Sequence, residues 1–129
     1  MSTPINDPEK AAKVFADDRA NVFHSWSAQA QISPMAIASG AGSYFWDFTG
    51  KKYLDFSSQL VFTNIGHQHP KVIAAIKEQA DVLTTIAPQH ANEARNEAAK
   101  RILELGGDKF KKVFFTNAGA DGVENAIRM

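Results

Sequence analysis

Residues 112–129 read KVFFTNAGADGVENAIRM. The apolar run at the start predicts a buried strand, a glycine-containing turn follows it, and the remaining residues predict the start of a helix. At a helix N-terminus several backbone N–H groups lack intrahelical partners, and the summed peptide dipole is positive there. A phosphate at that position accepts hydrogen bonds from these N–H groups and is attracted by the positive end of the dipole. Gly119 lets the backbone approach the phosphate closely. This turn is therefore a candidate anion-binding site.

The turn Asn117–Gly122 matches neither of two common phosphate-binding motifs. No Gly-Lys-Ser/Thr follows it, so it is not a Walker loop, and it lacks the spaced glycine triplet of a dinucleotide fold. On spacing alone, a structural turn in which Asp121 caps the helix is the more frequent explanation. At this point both interpretations stay open.

The order of the predicted elements indicates the fold class. A helix, a glycine stop, an apolar strand, a glycine turn and a second helix follow one another, which is typical of an α/β fold with a mostly parallel sheet covered by helices. One core strand and one hairpin are too few for such a sheet. The last helix also has no glycine or capping residue after its apolar face, at Val123, Ala126 and Ile127. We therefore expect an incomplete fold, with the missing strands beyond Met129.

Composition excludes several classes of protein. The 129 residues include 14 basic and 14 acidic side chains, so no net charge points to nucleic acid or to an anionic membrane. The chain has no cysteine, which removes disulfides, thiolate nucleophiles and Cys-based zinc sites. No apolar run approaches the roughly 18 residues that would span a bilayer, and the acidic N-terminal residues do not resemble a leader peptide. We expect a cytoplasmic location.

We divide the sequence into residues 1–69 and residues 70–129. The first segment is predicted to contain a loose arm (residues 1–6), a helix capped by Asp7 with Pro8 at its first position, an irregular stretch (residues 33–42) and a β-hairpin formed by Tyr44–Trp46 and Tyr53–Phe56. The second segment is predicted to contain a helix after Pro70, a helix from about Ala91 to the glycine pair Gly106-Gly107, and the strand Val113–Phe115.

Two histidine-containing segments are candidates for a reactive site. His67 and His69 lie two residues apart, but a metal site needs at least three ligands and the other histidines lie in unrelated segments. We predict no metal site and expect these histidines to fix a turn. His24 and Ser25 are neighbours in sequence, which does not make a catalytic triad. Trp26 belongs either to the core or to a pocket wall, and its size alone favours the core.

Several motifs in fixed order resemble the class III aminotransferases, pyridoxal-phosphate enzymes of fold type I. These motifs are Gly42–Asp47, Gly50–Phe56, Gly66-His67, His69-Pro70 and Phe114–Asp121, and the match covers roughly residues 22–129. The start His24–Ser27 is most similar to the omega-amino-acid:pyruvate branch. The resemblance implies that residues 1–69 form the N-terminal arm and hairpin segment, and that residues 70–129 begin the large cofactor domain.

The resemblance also implies site residues. In the family, the glycine and the following residue of this turn seat the cofactor phosphate through backbone N–H groups, and these positions are Gly119 and Ala120. The two serines usual in this turn are Ala118 and Ala120 here, so hydroxyl contacts are lost. Trp26, Leu60 and Val61 match positions that shape the substrate pocket, although Val61 replaces an aromatic residue often found there.

The implied activity is transfer of an amino group from an amine or omega-amino acid to a keto acid such as pyruvate, in a homodimer with pyridoxal 5'-phosphate. The catalytic lysine of the family belongs to a later segment, so no catalytic residue is assigned within residues 1–129. Two alternatives stay open. One is another enzyme of the same family, a decarboxylase, mutase or epimerase, and the other is a non-catalytic module that binds a phosphate-bearing ligand.

Overall fold

The computed structural model describes residues 5–129, and the chain divides into two compact units, Met1–Val82 and Leu83–Met129. The arm predicted over residues 1–6 therefore falls mostly outside the described residues. The described part of the first unit forms α1 (Pro8–Asn21), β1 (Ile37–Ala41), β2 (Tyr44–Asp47), β3 (Lys52–Leu54), α2 (Ser58–Val61) and α3 (Pro70–Val82). The second unit forms α4 (Glu93–Gly106) and α5 (Gly119–Arg128). The domain boundary drawn between residues 69 and 70 stays a prediction.

Helix α1 begins where its capping residues predict. The side chain of Asp7 accepts a hydrogen bond from the backbone N–H of Lys10 at 2.9 Å, and Pro8 occupies the first helical position. The carboxylate thus satisfies one of the N–H groups that a helix leaves unpaired at its start. The predicted N-terminus of α1 is confirmed.

The strands form one antiparallel sheet in the order β1-β2-β3. The predicted hairpin is confirmed as β2 and β3, in which Tyr44 pairs with Leu54 and Phe45 with Tyr53. The turn between them is closed by Asp47, whose Oδ1 accepts from the N–H groups of Thr49 and Lys51 at 2.9 and 3.0 Å.

The prediction of an irregular stretch over residues 33–42 is wrong in part, since Ile37–Ala41 forms β1 and pairs with β2. The sequence of β1 is IASGA, whose small residues carry little strand preference of their own. Its extended form depends on the hydrogen bonds that the neighbouring strand supplies.

Helices α3 and α4 confirm the predicted helices. Helix α4 starts with Asn92, whose side chain accepts from the N–H of Arg95 at 3.0 Å. It ends at Gly106, and its C-cap Gly107 has a φ of 72°. Glycine is common directly after the last helical turn, because a positive φ there is unfavourable for residues that have a Cβ atom.

The predicted strand Val113–Phe115 is not formed. These residues lie outside the strands of the structure, and Phe114 and Phe115 are exposed instead of buried. A strand is stabilised by hydrogen bonds to a neighbour, and among residues 5–129 no neighbouring strand pairs with this segment. The parallel sheet expected from the sequence is likewise not present among the described residues.

Little apolar surface is buried. Among residues 5–129, Phe48 is the one buried hydrophobic side chain, at 9% exposure. Large apolar side chains of every helix lie at the surface, including Ile76, Ile102 and Ile127. None of the helices within the described residues is long and apolar enough to cross a bilayer.

Candidate functional site

The turn before α5 presents a row of free backbone donors. The first helical hydrogen bond runs from the N–H of Gly122 to the carbonyl of Ala118 at 3.0 Å. The N–H groups of Gly119, Ala120 and Asp121 therefore lack intrahelical partners, and no acceptor among residues 5–129 pairs with them. Gly119 and Ala120 are exposed. The local geometry is that of an anion-binding helix N-terminus.

The space in front of this turn is open. A Cβ atom added to Gly119 would meet no atom within 4 Å, so a ligand can approach the backbone there. The hydroxyl of Thr116 donates to the carbonyl of Ala118 at 3.2 Å, which closes the turn on the side of the preceding chain. The residues present therefore fit a phosphate group held by backbone N–H groups.

Two side chains define the charge and capping of this helix start. Ala118 is the N-cap and makes no side-chain hydrogen bond, whereas Asp121 lies within the first turn. The interpretation of Asp121 as the capping residue is therefore wrong, because its backbone is already helical. Since the first turn carries no cation, attraction for an anion there comes from the N–H groups and the helix dipole.

Trp26 lies in the loop after α1 and is fully exposed, at 100% of its accessible surface. The core interpretation of this residue is therefore wrong. Its backbone has a φ of 58°, a left-handed conformation that is rare for a bulky residue. The loop is held by Gln29, whose side chain accepts from the N–H of His24 at 3.1 Å and donates to the carbonyl of Ser27 at 2.9 Å.

His24 does not pair with the neighbouring serines. Its Nε2 lies 2.6 Å from Oδ2 of Asp18, on the last turns of α1. This hydrogen bond links the loop to the helix that precedes it. Its role in the described structure is to hold the loop.

Leu60 and Val61 lie side by side on the distorted turn α2 and are both exposed. The backbone below them is anchored by Asp55, whose two carboxylate oxygens each lie 3.0 Å from the N–H of Gln59. His67 reaches the same carboxylate from the other side, with its Nε2 2.7 Å from Oδ2.

Hydrogen bonds to Asp55 stabilise its charged form. The N–H of Gln59 holds the pKa of the Asp55 carboxyl below its usual value, and His67 and Ser57 lower this pKa further. Asp55, Gln59 and His67 also line an open cavity of about 470 Å³ in the first unit. Sequence reasoning missed Asp55, because its partner His67 is 12 residues away and only the fold brings them together.

The site residues named from the sequence thus fall into three places. Leu60 and Val61 share one loop, Trp26 occupies another loop of the same unit, and Gly119 and Ala120 belong to the second unit. Within residues 5–129, no three histidine, aspartate or glutamate side chains are grouped as metal ligands would be.

The chain is similar to known proteins both in sequence and in structure. The sequence profile of the family described as "Aminotransferase class-III" matches residues 26–129. An acetylornithine aminotransferase from Methanocaldococcus jannaschii is 39% identical over 95 residues, which are 74% of this chain and 23% of that protein.

Solved structures match over a larger part of the chain. The taurine:2-oxoglutarate aminotransferase of Bifidobacterium kashiwanohense, in complex with PLP and glutamate, is 38% identical with a TM-score of 0.86, covering 99% of this chain and 28% of that one. An S-selective transaminase from Arthrobacter sp. with alanine bound is 35% identical with a TM-score of 0.84, covering 91% and 26%. The chain spans about a quarter of the length of these proteins.

Proposed function

The chain belongs to the class-III aminotransferase family, and from this premise we propose that it is part of a pyridoxal-phosphate-dependent transaminase. The proposed reaction moves an amino group from an amine or omega-amino acid to a keto acid such as pyruvate. The observation that carries the proposal is the row of free N–H groups at Gly119, Ala120 and Asp121, in the turn where the resemblance to the family implies the cofactor phosphate.

Gly119 and Ala120 are the residues of this chain that would hold the cofactor. Their N–H groups donate to the phosphate, and the positive end of the α5 dipole adds to the attraction. When bound, pyridoxal phosphate supplies the carbonyl group that takes up the amino group and a ring that withdraws electrons from the reacting carbon. The lysine and the ring-nitrogen partner needed for that chemistry are not assigned within this chain.

Trp26, Leu60 and Val61 are proposed to form walls of the substrate pocket. All three side chains are exposed in the described structure, so their apolar surfaces are available to a ligand. Such walls bind the apolar part of an amine and exclude water from the reacting atoms. Val61 is smaller than the aromatic residue often found at its position, and we expect room for a bulkier donor.

The choice of donor and acceptor rests on the relatives. Taurine, named for one structural neighbour, carries its amino group at the end opposite the acid group, which supports an omega-amino donor. Alanine, bound to another neighbour, is the product of amino transfer to pyruvate, which supports pyruvate as the acceptor. The taurine aminotransferase is named for 2-oxoglutarate as its acceptor, so 2-oxoglutarate is the alternative to pyruvate. We also propose that the working enzyme is a cytoplasmic homodimer.

The test is to express the complete reading frame that contains this chain and to measure cofactor uptake and amino transfer separately. We expect saturable binding of pyridoxal phosphate, followed by transfer from an omega-amino acid to pyruvate, and a dimer by light scattering. Binding without transfer to any keto acid would favour a decarboxylase, mutase, epimerase or a non-catalytic module. No binding of the cofactor would contradict the proposal altogether.

A further inference from the structure

The loop Ser57–Phe62, here called the substrate loop, has an unusual backbone. Ser58, Gln59 and Val61 have φ values of 47°, 58° and 60°. None of these residues is a glycine, and valine is branched at Cβ, so each pays a steric cost in the left-handed region. Backbone of this kind persists only where the surrounding contacts determine it.

Apolar packing does not supply those contacts. The side chains of Leu60, Val61 and Phe62 are all exposed, so they contribute little burial that could hold the loop. Hydrogen bonds to the backbone of the loop must therefore set its conformation.

Asp55 supplies these hydrogen bonds. Its side chain is only 6% exposed, and its carboxylate accepts from the N–H of Gln59, at the centre of the strained segment. The hydroxyl of Ser57 donates to Oδ1 at 3.3 Å, and the N–H of Ser58 donates to the Asp55 carbonyl at 3.3 Å. One residue thus binds three consecutive positions at the start of the loop.

His67 fixes the carboxylate in turn. Its side chain is 14% exposed, with Nε2 2.7 Å from Asp55 Oδ2. Its backbone exchanges two hydrogen bonds with Gly42, at 3.0 and 2.7 Å. Its ring lies so close to Gly40 that a Cβ atom there would be 3.0 Å from it. Contacts with Gly40 and Gly42 of the β1–β2 hairpin therefore fix the position of the imidazole that meets Asp55.

We propose that Asp55 and His67 are positioning residues, which transmit the geometry of the β1–β2 hairpin to the substrate loop and so set where Leu60 and Val61 meet the substrate. Neither residue needs to touch the substrate itself. The effect of these residues on substrate binding rests on the proposed function, whereas their effect on the conformation of the loop does not.

The test compares Asp55→Ala, Asp55→Asn and His67→Phe in the complete protein. His67→Phe keeps a ring against Gly40 and removes both ring nitrogens, Nε2, which meets Asp55, and Nδ1, which lies 3.4 Å from Nε2 of Gln59. Asp47→Ala and Asp47→Asn are the matched controls, because Asp47 closes the β2–β3 turn of the same sheet with comparable hydrogen bonds but makes none to the substrate loop.

The first readout is hydrogen exchange at the backbone N–H of Gln59, a measurement that does not require enzyme activity. We expect exchange about tenfold faster in Asp55→Ala and His67→Phe, corresponding to about 1.4 kcal/mol. Asp55→Asn is expected to be intermediate, since its amide oxygen still accepts from Gln59. Equal exchange in Asp55→Ala and Asp47→Ala would overturn the proposal.

The second readout separates KM from kcat. A displaced pocket wall that binds the donor equally in ground state and transition state raises KM with kcat little changed, and we expect a rise of about tenfold for Asp55→Ala. Faster exchange with an unchanged KM would overturn the link to substrate. If the wild-type protein transfers no amino group, the proposed function fails, while the exchange measurement still decides whether Asp55 and His67 hold the loop.

Discussion

The backbone N–H of Asp7 donates to the carbonyl of Phe48 at 2.6 Å. Asp7 is the N-cap of α1 and Phe48 follows the last residue of β2, so this bond ties the start of the helix to the end of a strand. The Nζ of Lys10 lies 5.3 Å from the centre of the Phe48 ring. The buried aromatic side chain of the first unit thus lies where α1 meets the sheet.

Replacement of Phe48 is expected to destabilise the protein, whereas replacement of Trp26 is not. Phe48→Ala removes a buried ring and leaves a cavity, which costs about 3 kcal/mol of the free energy of unfolding. Trp26→Ala removes a fully exposed side chain, so we expect a change within about 0.5 kcal/mol. Urea denaturation followed by circular dichroism measures both. Equal losses in the two variants would contradict the burial described for these residues.

The Gly119 N–H can be removed without disturbing α5. Proline is well tolerated at the first helical position, and Ala118 before it has the extended backbone, φ −148° and ψ 164°, that a following proline requires. Gly119→Pro therefore deletes one donor, and we expect affinity for pyridoxal phosphate to fall about tenfold or more, as for a hydrogen bond to a charged group.

Gly119→Ala is the control for that experiment, because it keeps the N–H and its Cβ atom meets no protein atom within 4 Å. Cofactor binding is measured by fluorescence titration of both variants. Undiminished binding by Gly119→Pro would show that the phosphate lies elsewhere.

Ala118→Ser is expected to stabilise α5. Ala118 is the N-cap and has no side chain that can accept from the helix, whereas a serine hydroxyl there accepts a hydrogen bond from the first turn and contributes about 1 kcal/mol. Ala120→Ser adds the same hydroxyl inside the first turn, where it has no capping function, and serves as the control. Thermal unfolding of the two variants compares them. A gain of the same size in Ala120→Ser would contradict the capping explanation.

Stability is expected to fall in acid. A hydrogen bond from Thr49 lowers the pKa of Asp47, and one from Gln59 lowers that of Asp55. The unfolded chain therefore takes up protons at a higher pH than the folded protein does. The free energy that these carboxylates contribute is complete above about pH 4, the ordinary pKa of aspartate, and is lost as the pH falls through the lowered pKa values.

Urea denaturation between pH 6 and pH 2 measures this dependence. The double variant Asp47→Asn, Asp55→Asn should be less stable at neutral pH and should lose less stability than wild type as the pH falls. Parallel pH curves for the two proteins would show that these carboxylates do not have lowered pKa values in the folded state.

The elements predicted correctly are those with local signals. The caps at Asp7 and Gly107 act within one helical turn, and the aromatic strands β2 and β3 are joined by a short turn. For the candidate site, the free N–H groups at Gly119 and Ala120 follow in the same way from a helix start alone, whereas binding of the cofactor phosphate there stays a prediction. The exposure of Trp26 had no such signal, since an aromatic residue in a loop is compatible with core and surface alike.

The sequence by itself thus determined helices α1, α3, α4 and α5, the hairpin and the turn before α5, because capping, turn chemistry and side-chain periodicity act between near neighbours. It did not indicate the short helix α2. Only the tertiary structure decided that Ile37–Ala41 forms a strand, that Val113–Phe115 does not, and that Asp55 meets His67. The physical reason is the same in each case. A strand exists through hydrogen bonds to a partner, and a hydrogen bond between side chains 12 positions apart forms only where the backbone brings them together.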